Sequence, residues 1–282
     1  MTEDVAFLRS GGAMSERMRR HDWTSSSLGS PRNWPQPLRS TVRLMLASKF
    51  PMFVAWGSEL GFLYNNAYAE LLGEKHPSAL GQRFQDIWAE IWPDILPFIE
   101  AALRGEATWV ENLPLTINRH GQDEETYFTF SYSPAFDDEE RVVGMFCACT
   151  ETTRQVLAER SLKAGVEDFR SMANDAPAMI WVTDPNGYCT YLNRRWYEFT
   201  GQVEEEALGL GWSKATHPDD QDRATAEFLT ANSAQAPFSI DYRLRRADGV
   251  YRRAVDRAEP RFGPSGEFLG YIGLVFDIGD DR

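Results

Sequence analysis

The chain has 282 residues, 43% of them hydrophobic and 13% aromatic, which favours two domains of ordinary size, each with its own apolar core. A net charge of -13 argues against general nucleic-acid binding and against docking on an anionic membrane, because both need clusters of Lys and Arg. Three cysteines are too few for a disulfide framework, and the acidic start "MTEDVAFLRSGG" lacks the basic residues of a secretory signal. These features predict a cytoplasmic protein.

Residues 1–49 stand outside the pattern of the rest of the chain and form a predicted N-terminal helical extension. After Pro37, the apolar residues Leu38, Val42 and Met45 fall on one face of a helix. We expect this helix to cover either the sheet of the following domain or a partner subunit.

The remaining sequence contains a repeat. "LYNNAYAELLG" (63–73) returns as "YLNRRWYEFTG" (191–201), with its Asn and its final Gly each displaced by 128 residues. The displacement shortens to 126 by the end of the copy, where "GMFCACTE" (144–151) corresponds to "GYIGLVFD" (270–277). A register held over this length indicates a duplicated domain.

The sequence pattern of each copy predicts two short strands, a group of helices and three longer strands. An Asn stands at the predicted start of the first helix and a Gly at its end. The predicted strands of the first copy cover 51–56, 60–64, 107–118, 125–136 and 141–150. Those of the second cover 178–184, 187–192, 237–246, 250–260 and 267–277. The fold class is therefore α+β, with a five-stranded antiparallel sheet and helices on one face in each copy.

The segments "YLNRRWYEFTG", "HPDD", "YRLRRADGVYR" and "GEFLGYIGLVFDI" resemble a PAS domain of bacterial sensor histidine kinases. The first copy resembles the divergent N-terminal PAS domain of the same proteins, or of a stand-alone double-PAS protein. The resemblance implies one PAS domain at 50–153, a helical linker at 154–176 and a second PAS domain at 177–282. It also implies a signalling role, with helices beside the domains forming a homodimer interface.

The linker carries an apolar stripe typical of a helix that packs against another helix, formed by Ala158, Leu162, Val166, Phe169 and Ala173. In the PAS family, an Asp-Ile-Thr-like sequence at the end of the domain couples the sheet to an output helix. Here the resemblance assigns this coupling to Glu151, Thr152 and Thr153 in the first copy and to Asp277 in the second. The alternative is a rigid spacer helix.

No cofactor follows with certainty from the sequence. The long helices carry no His, which argues against His-ligated haem, and no Cys lies where a flavin-thiol domain would need it. A non-covalent flavin or a small metabolite stays open, in cavities lined by aromatic residues. The candidate pocket residues are Phe53, Trp88, Trp92, Phe98 and Tyr127 in the first copy and Trp181, Tyr191, Trp196, Trp212 and Tyr242 in the second. The alternative is that these aromatic side chains only fill the cores.

No catalytic or metal site is predicted. The histidines His21, His76, His120 and His217 lack metal-ligand spacing, and no phosphate-binding loop or phosphoacceptor helix is present in the sequence. "HPDD" (217–220) sets an imidazole beside two carboxylates, but it is interpreted as a helix start, with Asp219 as the cap and Pro218 fixing the entry.

The sequence thus predicts a non-enzymatic, dimeric sensory module that regulates a histidine-kinase-type effector, in cis or in trans. Two alternatives are a flavin or small-molecule sensor and a ligand-free dimerisation scaffold.

Overall fold

The computed structural model describes residues 3–9 and 12–279. The chain packs as two units that divide between Ser161 and Leu162, called domain 1 and domain 2 from here on. Each unit holds one sheet and its own apolar core.

The described part of domain 1 contains five α-helices and five strands, with short 3-10 turns between them. The helices are α1 (Gly12–Arg20), α2 (Gln36–Ala47), α3 (Asn66–Leu72), α4 (Phe84–Ile87) and α5 (Trp92–Leu103). The strands are β1 (Met52–Trp56), β2 (Gly61–Tyr64), β3 (Thr108–Asn118), β4 (Asp123–Phe136) and β5 (Val142–Glu151). The sheet is antiparallel in the order β2-β1-β5-β4-β3, so that the last strand in sequence lies at its centre.

Helix α6 (Thr153–Asp175) follows β5 after one residue and runs across the boundary between the two units. Domain 2 then repeats the order of domain 1. Its strands are β6 (Met179–Thr183), β7 (Cys189–Leu192), β8 (Phe238–Arg245), β9 (Tyr251–Phe262) and β10 (Phe268–Gly279). Its helices are α7 (Arg194–Thr200), α8 (Glu204–Ala207) and α9 (Pro218–Ala234), and the sheet order is β7-β6-β10-β9-β8. The predicted α+β fold, with two five-stranded antiparallel sheets, is confirmed.

The N-terminal extension packs on domain 1 itself. Helix α2 buries Leu38, Val42, Met45 and Leu46 and lies against β1 and β2. This helix was expected to cover either the sheet or a partner subunit, and the structure places it on the sheet of domain 1.

The repeated Asn is the polar centre of each strand-to-helix corner. Asn65 is fully buried, and its side-chain oxygen accepts hydrogen bonds from the Tyr68 and Met52 amides at 2.9 and 3.2 Å. Its amide group donates to the Phe50 carbonyl at 2.6 Å and to the Met45 carbonyl at 3.1 Å. One side chain therefore caps α3 and ties the helix to β1 and to the end of α2.

Asn193 does the same in domain 2. It is also fully buried, and its oxygen accepts from the Ile180 amide at 2.9 Å while capping α7. Its amide group donates to the carbonyls of Ala173 and Ala178 at 2.6 and 2.8 Å. Because Ala173 lies in the last turn of α6, Asn193 fixes the end of that helix to domain 2.

Candidate functional site

Domain 2 encloses a cavity of about 20 Å³ between the sheet and helix α9, room for about one water molecule. Its walls are mostly aromatic, and one buried carboxyl group faces it. The aromatic lining residues are Trp181, Trp196, Trp212, Phe228, Phe238 and Tyr242, and the carboxyl belongs to Asp256.

Asp256 lies at the centre of β9 and is buried. One carboxyl oxygen accepts a hydrogen bond from the Trp181 indole at 2.8 Å, and the other accepts from the Tyr242 hydroxyl at 3.2 Å. Burial raises the pKa of Asp256 to about 7, although both hydrogen bonds lower it. No Lys or Arg of residues 3–9 and 12–279 forms an ion pair with this carboxyl.

Domain 1 has a cavity of about 40 Å³ in the corresponding place, lined by aromatic and aliphatic residues with two cysteines. Its polar groups are the hydroxyls of Tyr68 and Tyr132 and the buried indole N–H of Trp88. Burial raises the pKa of both tyrosines and of the Cys147 thiol far above their ordinary values, so these groups are neutral at pH 7.

Six of the ten predicted pocket residues line these two cavities. Phe53 and Trp88 do so in domain 1, and Trp181, Trp196, Trp212 and Tyr242 in domain 2. Trp92 and Phe98 pack against the domain 1 core without reaching the cavity.

Tyr127 and Tyr191 lie elsewhere because side chains alternate along a strand. In β4 the cavity receives Phe128, Phe130 and Tyr132, so Tyr127 is on the opposite face, beneath the Arg160 guanidinium. Tyr191 packs against Phe169 of α6, with ring centroids 5.3 Å apart. Both tyrosines therefore contact α6 rather than a cavity.

Asp256, Tyr68 and Tyr132 line the cavities but were not predicted to do so from the sequence. Asp256 stands in "RAVDRAE", where Ala254, Asp256 and Ala258 share the face toward the core. That alternation was the available signal, but a charged residue in a polar segment is usually on the surface.

The residues predicted to couple the sheet of domain 1 to the output helix form a connected group where β5 meets α6. Arg119 donates two hydrogen bonds to the Glu151 carboxylate, at 2.6 and 3.0 Å, and Thr153 donates a third at 2.9 Å. Burial raises the pKa of Glu151, but the hydrogen bonds from Arg119 and Thr153 outweigh it and hold the pKa below its ordinary value. The carboxylate is thus charged at neutral pH and fixed to the first turn of α6.

Tyr127 completes this group from the neighbouring strand. Its backbone N–H donates to the Thr153 hydroxyl at 2.9 Å, and its carbonyl accepts from the Thr152 amide at 2.7 Å. Its own hydroxyl accepts a hydrogen bond of 2.6 Å from Arg160, two turns into α6. The first turns of α6 are therefore bonded to β4 as well as to β5.

In domain 2, Asp277 occupies the position that corresponds to Glu151. It accepts from the Arg252 guanidinium at 3.4 Å and from the Gly279 amide at 3.0 Å. The residues after Gly279 lie outside the described part of the chain.

The "HPDD" segment starts α9, but the cap differs from the prediction. The His217 ring accepts the Asp219 amide N–H at 3.2 Å, so His217 is the N-cap and Pro218 the first helical residue. Because Pro218 takes the first helical position, Asp219 is the second helical residue, two positions past the cap. Asp220 pairs with Arg243 at 2.9 Å, and its pKa falls to about 2 because Arg243 donates to it.

The cavity volumes bear on the predicted possibility of a bound flavin. Ligand pockets for molecules of that size hold about 300 Å³ or more. Cavities of about 20 and 40 Å³ do not accept a flavin ring without rearrangement of the cores. The described residues also contain no group of three or more His, Cys, Asp or Glu side chains placed to hold a metal ion. Within the same ranges, no helix has the length and apolar character needed to cross a membrane.

Two curated relatives match parts of the chain. An uncharacterized protein of Sinorhizobium fredii, y4lL, is 35% identical over 73% of this chain. The peroxide stress-activated histidine kinase mak1 of Schizosaccharomyces pombe is 26% identical over 45% of this chain. The matched segments make up 23% and 8% of the lengths of these two relatives.

Similar solved structures include two single domains from other organisms. The N-terminal domain of a diguanylate cyclase with PAS/PAC sensor from Marinobacter aquaeolei is 23% identical, with a TM-score of 0.33, over 36% of this chain and 95% of that one. The PAS domain of an HTR-like protein from Haloarcula marismortui is 20% identical, with a TM-score of 0.35, over 43% of this chain and 98% of that one.

Two family models, each described as the PAS fold, match residues 48–157 and residues 190–275. These ranges contain the first sheet and most of the second, each with the strand order described above. The chain therefore belongs to the PAS family and carries two PAS sensory domains in tandem.

Proposed function

We propose that the chain is a cytoplasmic, non-enzymatic sensory and dimerisation module that regulates a histidine-kinase-type effector, in the same chain or in a separate one. The two PAS domains support the sensory role. The relative described as a histidine kinase supports the type of effector, although this chain matches only 8% of that protein's length.

The observation that carries the proposal is the apolar surface of α6. Leu162, Val166, Phe169 and Met172 lie on one side of this helix and are between 41% and 75% exposed. We call these four residues the linker stripe. Pairing two copies of the stripe across a homodimer would bury these side chains, with a gain of roughly 25 cal/mol for each Å² of apolar surface removed from water.

The bonded group formed by Arg119, Glu151, Thr153 and Tyr127 supplies a route from domain 1 to this helix. A shift of β4 or β5 moves Glu151 and Tyr127, and both are bonded to the first turns of α6. Since a helix moves as a rigid element, a small displacement at its start becomes a rotation or tilt of the paired helices. At the other end, Asn193 and its bond to Ala173 pass the same movement to domain 2.

The dimer is tested by placing a charge on the stripe. Leu162→Glu should convert the dimer to monomers in light scattering after size exclusion, because it puts a carboxylate into the apolar seam. Ala164→Glu puts the same charge on the opposite side of α6 and serves as the matched control. A dimer that survives Leu162→Glu, or that is lost equally in Ala164→Glu, would contradict pairing through the stripe.

Signalling through α6 is tested by insertions that change the helical phase, in the full-length protein with its effector. One Ala inserted after Gly165 turns everything beyond it by about 100°, whereas seven inserted residues nearly restore the phase. We expect the single insertion to lock or abolish the effector's response and the seven-residue insertion to retain it. Equal responses in both variants would rule out signalling through α6.

Between the two alternative functions, a small-molecule sensor and a ligand-free scaffold, the buried Asp256 carboxyl favours the sensor. A ligand-free scaffold gives no reason for an unpaired carboxyl beside a cavity, because burying such a group opposes folding.

A further inference from the structure

We propose that the cavity of domain 2 binds a small organic ammonium ion, of about methylammonium size, with its N–H groups on the Asp256 carboxylate and its methyl group among the aromatic rings. The sensory meaning of this site rests on the function proposed above, whereas the binding itself is measured independently of it.

The carboxyl has capacity for a ligand. An ionised carboxylate accepts about four hydrogen bonds, and Trp181 and Tyr242 supply one to each oxygen of Asp256. Both donors are neutral, and no cationic side chain among the described residues pairs with the group. A bound cation would supply the missing positive charge and the missing donors.

The walls suit a cation of this kind. Cations are attracted to the faces of Trp and Tyr rings, most strongly where water is excluded. Trp181, Trp196, Trp212 and Tyr242 all border the cavity beside Asp256. Trp212 is the half-buried member of this set, on the short turn before α9, and provides the side from which a ligand enters.

The size of the cavity restricts the ligand. About 20 Å³ accepts a group close in size to one water molecule, which fits the ammonium head, and the attached methyl group requires a small outward shift of the half-buried Trp212. Larger quaternary ammonium ions need a larger displacement of Trp212.

Domain 1 provides an internal comparison. Asp256 pairs with Val275 in the sheet, and Phe130 pairs with Cys149 in the corresponding strands, each residue displaced by the same 126 positions. Phe130 therefore occupies the place of Asp256 in domain 1. The two copies share their fold, but only domain 2 has a carboxyl at this position, so the charge is a feature of this cavity and not of the fold.

Because the ionised form of the Asp256 carboxyl attracts a cation, binding of the ammonium ion depends on pH. The other titratable groups that face Asp256 are the Cys189 thiol from β7 and the Tyr242 hydroxyl from β8. Both have raised pKa values and stay neutral, while α9 presents Ala224 and Phe228. With the pKa of Asp256 near 7, the ionised fraction rises from about 0.1 at pH 6 to about 0.9 at pH 8. We expect methylammonium, which stays charged over this range, to bind roughly tenfold more tightly at pH 8 than at pH 6.

The experiment uses the full chain labelled with ¹⁵N and follows the Trp181 indole N–H signal during titration with methylammonium chloride, at constant ionic strength set by NaCl. Methanol, with the same heavy-atom count and no charge, is the neutral probe. We expect saturable shifts with methylammonium only, and a loss of affinity of at least tenfold in Asp256→Asn, which keeps an acceptor for Trp181. Asp241→Asn, on the neighbouring strand and exposed, should bind as the parent does.

Equal binding of methanol, unchanged affinity in Asp256→Asn, or the absence of saturable shifts would each overturn the proposal. Asp256→Asn removes a buried charge and should fold, and the pH 6 to pH 8 ratio in the unmodified chain gives a second test that needs no variant. Failure of these tests leaves dimerisation through the linker stripe untouched, since that is decided by Leu162→Glu.

Discussion

Arg119 binds Glu151 through two hydrogen bonds, at 2.6 and 3.0 Å, at the point where β5 ends and α6 begins. Both side chains are largely shielded from water, with 12% and 21% of their surfaces exposed. The pair therefore escapes most of the solvent screening that weakens exposed ion pairs. It joins the hairpin between β3 and β4, which carries Arg119, to the start of the linker helix.

Arg119→Met should destabilise domain 1 by about 1–3 kcal/mol, because it leaves Glu151 charged and partly buried without its main donor. Hydrogen exchange in the first turn of α6 should rise at the same time. Urea unfolding measures the first effect and peptide-level exchange the second. Arg20→Met, which breaks the exposed pair with Glu16, should change stability by less than about 0.5 kcal/mol. An equally small effect of Arg119→Met would show that the pair does not fix α6.

Asn193→Ala should cost domain 2 about 2–4 kcal/mol, since it removes the cap of α7 and leaves buried backbone groups at Ile180, Ala173 and Ala178 without partners. The loss is measured by urea unfolding of the full chain. Asn186→Ala, in the exposed turn between β6 and β7, is the matched control and should be nearly neutral. A loss below 1 kcal/mol for Asn193→Ala would contradict the role given to this amide.

The stability of domain 2 should fall as pH rises. The pKa of Asp256 is about 7 in the fold against 3.8 in the unfolded chain, so the folded state holds an extra proton between these values. This proton stabilises the folded state by a total on the order of 4 kcal/mol. The stabilisation is fully present below about pH 4 and is lost as the pH rises through 7. Asp256→Asn should flatten this dependence, as measured by urea unfolding followed through exchange in β9. A parallel pH dependence in the parent and the variant would assign the effect to other groups.

Gly273→Ala should destabilise domain 2 by about 1–3 kcal/mol. A Cβ atom at Gly273 would lie 2.2 Å from the Trp181 ring, and a ring packed in the core has little room to move. The displaced indole would also lose its hydrogen bond to Asp256, visible as a shift of the Trp181 indole signal. In Gly165→Ala the new Cβ meets nothing within 4 Å, so this change in α6 should stabilise the helix by about 0.5–1 kcal/mol. Destabilisation by both substitutions would point to an effect of alanine itself rather than of the Trp181 contact.

The order of strands and helices was predictable because a duplicated phrase marks the same corner twice and the turns between strands carry their own signals. The Asp184–Gly187 turn is an example, where Gly187 has a φ of 85° that other residues rarely adopt. Asn65 and Asn193 were predictable as helix caps for the same reason, although their bonds to the preceding helix were not, since those depend on tertiary packing.

The cavity residues were less predictable. Tyr127 and Phe128 are adjacent aromatic residues, and the alternation of Phe128, Phe130 and Tyr132 along β4 was the signal that Phe128 lies on the inner face. Asp256 was missed because its burial depends on donors that arrive from two other strands, 75 and 14 residues away in the chain.

The bonds made by Asn65 and Asn193 run almost entirely to backbone groups. Every residue except proline presents the same N–H and C=O to such a bond, so each corner is indifferent to which side chains surround it. A gene duplication could therefore keep its frame while its interior drifted, one copy acquiring an acid where the other has a phenyl ring. The two copies therefore share the corners held by Asn65 and Asn193 while the linings of their cavities differ.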